Sequence, residues 1–262
     1  MLTLTNVSKS FGGLKVLDEL SLTVAARGIF GLIGPNGAGK TTVFNLITGL
    51  LSPSAGTIEF LGKRLDGTAP FEITRRGVAR TFQNIRVFKE MTLMENVLVA
   101  LGDHPSYSVF SLLMPMPNSR QAETHEHERA GELLSRLGLA EKADRFAGTL
   151  SYGEQRRLEI ARALATGPKL LLLDEPAAGM NSAEKRTLMD EIVKLDDGRL
   201  SILIIEHDMR FVMEICQRIA VLNFGRLIAQ GTPAEIRANP EVVEAYLGQD
   251  DDLTDGRGGA AS

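Results

Sequence analysis

Hydrophobic and polar positions along this chain switch repeatedly between a period of two residues and a period near 3.6. Leu2 and Leu4, and later Leu20, Leu22 and Val24, alternate with polar neighbours, as half-buried strands do. Residues 29–33 form a continuous apolar run and read as a strand. Val43, Phe44, Leu46, Ile47 and Leu50 then recur at helical spacing, with Gly49 near the helix end. A further strand at residues 57–61 is entered through the turn Ser52-Pro-Ser-Ala-Gly56, and these pieces predict a small antiparallel sheet. Residues 78–82 read as another strand, ending in Gln83. The pattern then turns helical over residues 91–101 and 121–139, the second with Leu133, Leu134 and Leu137 on one face and Gly138 as its stop. Between them, residues 106–119 are rich in Ser, Pro and Met and read as a loop over an apolar surface.

In the second half, Ser151 with Glu154 three residues on spells a capping box. The helix it opens continues through Leu158, Ile160, Ala161 and Leu164 to Gly167-Pro168. Residues 170–173 are wholly apolar, as the buried centre of a parallel sheet requires, and run into Asp174-Glu175-Pro176. Residues 201–205 repeat the arrangement and end in Glu206-His207-Asp208. Residues 219–223 and 226–229 predict a hairpin around Phe224-Gly225. Thr232-Pro233 starts a short helix, and residues 240–247 form another. Residues 249–262 carry Asp250, Asp251, Asp252 and Asp255 against Arg257, the composition of a disordered acidic tail.

Composition narrows the class. The chain has 262 residues, 44% hydrophobic and 24% charged, enough for a sizeable core in one large domain or one domain with an inserted lobe. Its net charge of −4 implies no bulk attraction to nucleic acid or anionic lipid. Cys216 is the single cysteine, which excludes internal disulfides and a cysteine metal cluster and suits a reducing cytosol. The N-terminal residues lack the layout of a signal peptide, and the apolar runs are far short of a spanning helix. Work at a membrane would therefore need another chain as anchor.

The candidate chemistry begins at Gly34-Pro-Asn-Gly-Ala-Gly39-Lys40-Thr41, a full match to the phosphate-binding pattern G-x-x-x-x-G-K-[ST] between a strand and a helix. Gly34, Gly37 and Gly39 let the backbone take positive φ and approach an anion. Their N–H groups, with the helix N-terminus behind them, make a nest for the β- and γ-phosphates. Lys40 adds a mobile point charge, and the Thr41 hydroxyl can ligate Mg²⁺. Asp174 and Glu175 stand at the C-terminal end of a strand, where open α/β sheets place their sites. Beside a phosphate loop, Asp174 can hold the water shell of Mg²⁺ and Glu175 can accept a proton from the attacking water. His207 can donate to the γ-phosphate oxygens or orient that water. The capped helix at Ser151, with Gly153 beside it, offers a positive dipole end to a second phosphate, or is simply well capped. Phe11, in Ser10-Phe-Gly-Gly13, a loop composition, is either a packing residue or a stacking platform for adenine. His125 and His127 lie among Glu123, Glu126 and Glu128 and read as a solvated helix face rather than a metal site.

Taken in order, these motifs resemble the ATPase subunits of ABC transporters, over about residues 1–248. The match runs through the phosphate loop at 34–42, Gln83 at the Q-loop position, Leu150-Ser-Tyr-Gly-Glu-Gln155 as the signature, residues 170–175 as Walker B and His207 as the switch histidine. Within that family the chain resembles the LivG-type ATPases of branched-chain amino acid importers. That likeness is carried by Ala79-Arg-Thr-Phe-Gln-Asn-Ile-Arg-Val-Phe88, Leu158-Glu-Ile-Ala-Arg-Ala-Leu164, Pro176-Ala-Ala-Gly-Met-Asn181, Ile205-Glu-His-Asp-Met209 and Ala245-Tyr-Leu-Gly248. Tyr152 replaces the first glycine of the usual LSGGQ, and Asn181 replaces the D-loop aspartate. The LivG branch commonly shows both departures.

The resemblance implies an α/β P-loop NTPase fold: a RecA-like core at 1–83 and 151–235 with an N-terminal antiparallel β subdomain, an inserted α-helical subdomain at 84–150, C-terminal helices at 236–248 and the tail. It implies ATP and Mg²⁺ as cofactors. Gly34, Asn36, Gly37, Ala38, Gly39, Lys40, Thr41 and Thr42 would surround the phosphates, and Phe11 would stack on adenine. Ser151, Gly153 and Glu154 would close over the ATP of a second ATPase subunit, a related chain or an identical copy, packed head to tail. Thr41, Gln83 and Asp174 would serve the metal, and Glu175, His207 and Gln83 would act in hydrolysis, with Gln83 as the hinge of the 84–150 lobe. A groove near residues 84–88 would receive a helix of a polytopic membrane permease subunit, placing the chain at the cytoplasmic face of the inner membrane. A substrate-binding protein would be an indirect partner, and no nucleic acid is expected. The alternatives are the ATPase of lipopolysaccharide export and a non-transport ABC ATPase of the iron–sulfur assembly type.

Overall fold

The computed structural model describes residues 1–102 and 119–251. The Ser-, Pro- and Met-rich stretch, but for Ser119, and the acidic tail beyond Asp251 lie outside the described residues. In chain order, strands β1 (Leu2–Phe11), β2 (Leu14–Val24) and β3 (Gly28–Ile33) lead into helix α1 (Lys40–Ile47). Strands β4 (Ala55–Phe60) and β5 (Lys63–Arg64), helix α2 (Pro70–Arg75) and strand β6 (Val78–Arg80) follow. Then come α3 (Leu93–Leu101), α4 (Ser119–Arg136), α5 (Tyr152–Ala165), β7 (Leu170–Asp174) and α6 (Ser182–Leu195). The chain continues with β8 (Ser201–Ile205), α7 (Met209–Ile215), β9 (Arg218–Asn223), β10 (Arg226–Gly231), α8 (Pro233–Ala238) and α9 (Pro240–Asp251). Helix α9 thus continues three residues past 248, to Asp251. The described residues cluster into two compact units, 1–73 with 201–251, and 74–200.

In the first unit, β2-β1-β4-β5 form an antiparallel sheet, as the alternation of apolar and polar positions requires. Leu2, Leu4, Leu20, Leu22 and Val24 all point to its buried face. The stretch Ser10-Phe-Gly-Gly13 is not a loop. Strand β1 runs to Phe11, which pairs with Leu14, and Gly12 at φ 56 lets the chain reverse in two residues. Strand β3 pairs in parallel with β8 and β9, and all three are buried along nearly their whole length. That explains their unbroken apolar sequences: helices cover both faces of such a strand. Helix α1 buries Val43, Phe44, Leu46 and Ile47, each worth about 1.5–3 kcal/mol against solvent. Leu50, by contrast, lies past the turn at Gly49 and is exposed. Helix α7 lies so close to β3 that a Cβ at Gly31 would come within 2.8 Å of the Val212 side chain and 3.3 Å of Cys216 Sγ.

Burial pushes the Cys216 thiol up to about 12. We therefore expect native protein at pH 8 to resist a thiol reagent that modifies the unfolded chain completely. Equal rates in buffer and in denaturant would contradict this packing.

In the second unit, β6 and β7 pair in parallel and β7 is wholly buried. Strand β6 ends at Arg80, two residues before the apolar pattern does, because the backbone at Phe82 and Gln83 is drawn away by side chains of α5. Helix α3 starts at Leu93 rather than Met91, since Thr92 and Glu95 form a reciprocal capping box there. Helix α4 ends at Arg136, and Gly138 at φ 63 provides the stop. Ser151 and Glu154 cap α5 as the sequence spells out.

Candidate functional site

Candidate functional residues occur in each unit. In the first, the chain leaves β3 and turns into α1 through Gly34, Gly37 and Gly39, at φ 149, 79 and 101. A Cβ at Gly34 would run into the Leu222 carbonyl, whereas one at Gly37 would meet nothing within 4 Å. Gly34 is thus required by packing, and Gly37 leaves an open concave backbone. Gly39 is the N-cap of α1, with no side-chain cap and no acidic residue in the first turn, so neither of these local devices neutralises the helix's positive end. Asn36, Gly37 and Thr41 are exposed, Thr42 is half-buried, and Ala38 is buried beneath the loop.

Lys40 is not free to swing. Its ammonium is buried (7% exposed) and donates to the carbonyls of Gly34 at 2.7 Å and Pro35 at 2.8 Å. The loop therefore carries its cation already in place. The hairpin turn between β9 and β10 braces it from behind: Gly225 N–H donates to the Ala38 carbonyl at 3.1 Å, and the Gly225 carbonyl accepts from Asp18 N–H at 3.0 Å. Phe224 and Gly225 both hold positive φ, so this turn closes in two residues.

His207 leaves the end of β8 with its side chain exposed. Its backbone N–H donates to the carboxylate of buried Glu206 at 3.2 Å, and its Nδ1 lies 3.8 Å from the same group. Asp208 caps α7 by accepting from the N–H groups of Arg210 and Phe211. Phe11 is 46% exposed at the end of β1, its ring open to a stacking partner, with Lys9 Nζ 5.1 Å from its centroid.

In the second unit, the last residue of β7 and the one after it present adjacent carboxylates. Asp174 is buried and paired with Arg80 at 2.7 Å. Glu175 takes φ 46, a conformation costing a residue with a side chain about 1–3 kcal/mol. Its Oε2 accepts from Gln83 Nε2 at 3.1 Å. Gln83 and Glu175, read separately from the sequence, are thus in direct contact.

The signature helix α5 anchors this contact. Arg156, fully buried, donates to the carbonyls of Phe82 at 2.5 Å and Gln83 at 2.6 Å, to the Glu159 carboxylate at 2.8 Å and to the Tyr152 hydroxyl at 3.3 Å. Glu159 in turn accepts from the N–H groups of Phe82 and Arg86. Burial raises its pKa, with the Arg156 charge pulling the other way. Asn96 on α3 brackets the next residues, exchanging bonds of 2.9 Å with both the N–H and the carbonyl of Phe88. Residues 82–88 are therefore held by buried polar side chains, while Phe88 stays exposed under the Arg162 guanidinium. Arg80, Asn96, Arg156 and Glu159 are site residues that motif reading missed, because their partners lie 8 to 94 residues away.

At the N-terminus of α5, Ser151 is exposed and Gly153 buried, and with Met180, Ala183 and Glu184 they line a cavity of about 190 Å³. A Cβ on Gly153 would come within 3.2 Å of the Glu184 carboxylate. Glu154 is occupied by the chain itself: its carboxylate accepts from Ser151 N–H and pairs with Lys142. Asn181 caps α6 by accepting from Ala183 and Glu184 N–H groups, which gives the D-loop departure a structural use.

The proposed metal ligands, Thr41, Gln83 and Asp174, offer oxygen donors only, the set that suits a hard cation such as Mg²⁺. His125 is exposed, 4.0 Å from Glu128, and no cluster of three or more metal-ligating side chains occurs among the described residues.

Comparison with known proteins gives the family. The family model described as ABC transporter matches residues 17–178, and that described as branched-chain amino acid ATP-binding cassette transporter matches residues 226–252. The chain is 48% identical to the high-affinity branched-chain amino acid transport ATP-binding protein LivG of Salmonella typhimurium, over 95% of this chain and 98% of that protein. It is 46% identical, over the same shares, to BraF of Pseudomonas aeruginosa, which bears the same description. To the lipopolysaccharide export ATP-binding protein LptB of Haemophilus influenzae it is 34% identical, again over 95% and 98%. Among solved structures, the ADP conformation of an ATP-binding cassette of an ABC transporter superposes with a TM-score of 0.81 at 34% identity, covering 95% of this chain and 98% of that one. A dimeric post-hydrolysis cassette bound to ADP and Pi gives 0.72 at 25% identity, covering 89% and 99%.

Proposed function

The chain belongs to the ATP-binding cassette family of ABC transporters, and from that premise we propose that it powers an importer of branched-chain or related amino acids. The observation that carries the substrate class is the 48% identity to LivG along nearly the whole of both chains, against 34% to the lipopolysaccharide-export protein. The family consists of ATP-binding subunits of transporter complexes, and a related cassette is dimeric. Among the described residues no helix is long and apolar enough to cross a membrane. Membrane attachment therefore falls to polytopic permease subunits, at the cytoplasmic face of the inner membrane, with a substrate-binding protein delivering the cargo.

In this reading the loop from Gly34 to Thr42 binds the ATP phosphates through its N–H groups and the pre-placed Lys40, and Phe11 stacks on the adenine. Thr41, Gln83 and Asp174 would hold Mg²⁺, which when bound supplies neutralisation of the phosphate charge. Glu175 accepts the proton of the attacking water at its carboxylate, and His207 orients the γ-phosphate. Ser151 and Gly153 close over the nucleotide of a second ATPase subunit packed head to tail, so that ATP holds the pair together and hydrolysis releases it. Residues 84–150 form the lobe that answers the nucleotide through Gln83. The latched segment at 82–88 presents Phe88 and Arg86 to a permease helix, so force on that helix reaches Gln83 without slack.

Uptake of radiolabelled leucine, isoleucine and valine tests the proposal in cells whose own copy is replaced by Lys40→Ala. We expect uptake of at least one of the three to fall to background and to return with the wild-type chain. Unchanged uptake of all three would overturn the branched-chain assignment while leaving the ATP chemistry intact.

A further inference from the structure

Asp174 has a cationic partner supplied by the fold itself. The Arg80 guanidinium donates to its Oδ2 at 2.7 Å, with the two side chains only 7% and 6% exposed. Strands β6 and β7 run in parallel with Arg80 opposite Leu172, so the long side chain reaches along the ladder to the last residue of β7. The Phe82 ring flanks the guanidinium, 5.2 Å from its carbon, and Asp174 N–H donates to Thr81 Oγ1 at 3.4 Å. Three consecutive residues, Arg80, Thr81 and Phe82, thus fix the charge, the backbone and the surroundings of one carboxylate.

The physical consequence has two sides. A carboxylate this buried is costly to keep ionised without a compensating charge. Arg80 supplies that charge from within the fold, and its contact at 2.7 Å fixes the orientation of the Asp174 carboxylate. The same guanidinium opposes a second cation at the same carboxylate, because like charges in a poorly hydrated site repel strongly. We propose that Arg80 is a positioning residue that sets the divalent-cation requirement of nucleotide binding, pairing with Asp174 when the cation is absent and competing with it when present. The inference rests on the reading of Asp174 as a ligand of the metal–nucleotide complex.

The test is the coupling between metal and nucleotide, read by binding rather than turnover. Affinity for a fluorescent ADP analogue is measured on the full chain in EDTA and in excess Mg²⁺, and the ratio of the two dissociation constants is the coupling factor. Arg80→Gln should raise that factor about tenfold over wild type, and Arg80→Lys, which keeps the charge, should hold it within about twofold. With Asp174→Asn as background, Arg80→Gln should no longer change it. Should Arg80→Gln fail to fold, Arg80→Met keeps the apolar stem and should show the same rise. A coupling factor equal to or below wild type in a folded, charge-removed variant overturns the inference. A wild-type chain whose affinity ignores Mg²⁺ overturns the reading of Asp174, and the inference with it.

Discussion

Glu175→Gln should retain ATP binding, lose about 10²–10⁴-fold in turnover and accumulate as an ATP-bound dimer. The amide has the shape of the carboxylate, and its oxygen can still accept from Gln83 Nε2, now at 3.1 Å from Glu175 Oε2. The backbone, already at φ 46, needs no new conformation. What the amide loses is the carboxylate's charge and, with it, the ability to take a proton from water. Steady-state ATPase rates and size-exclusion chromatography in ATP report the two halves of the expectation. Turnover within a few-fold of wild type would remove Glu175 from the role of general base.

Lys40→Ala should weaken ATP binding by about 10- to 100-fold, the loss of a charge-assisted bond or two to phosphate. The substitution also strips the Gly34 and Pro35 carbonyls of the donor that satisfies them. A modest fall in melting temperature without nucleotide should therefore accompany the affinity loss. Titration with a fluorescent nucleotide measures the first and a thermal melt the second. Unchanged affinity would contradict the phosphate-loop assignment, whatever the melt shows.

What could be read from residue order was whatever is decided within a few positions. The glycines at 34, 37 and 39 take positive φ because a strand-to-helix turn around an anion demands it. The capping box at Ser151, the helix start at Thr232-Pro233, the hairpin at Phe224-Gly225 and the buried apolar strands are equally local. Contacts between distant positions leave no periodicity to read. Arg80 lies 94 residues from Asp174, and Arg156 lies 74 from Phe82, so nothing in either neighbourhood announces the pair. Arg156 on the signature helix is wholly buried. Lys40 illustrates a subtler gap. The motif gives its charge, but that two carbonyls of the same loop hold the ammonium in advance is a property of the folded turn. Strand β6 was over-read for the same reason: Val78 to Phe82 has the right pattern, but Arg156 and Glu159 claim the backbone at Phe82.

In the proposed reading, these distant pairs would also tie the chemistry to transport. Gln83 touches Glu175, its carbonyl is held by Arg156, and the residues that follow it are clamped by Glu159 and Asn96. In that reading, a change in the company of Glu175 would be passed to the segment that would meet a permease helix.

The most direct test of the importer assignment is to purify tagged Glu175→Gln protein from its native membranes in mild detergent with ATP, and to identify what accompanies it. Two different polytopic membrane subunits together with a second, related ATPase are expected. Recovery with soluble partners alone, or with the membrane subunits of lipopolysaccharide export, would contradict that assignment.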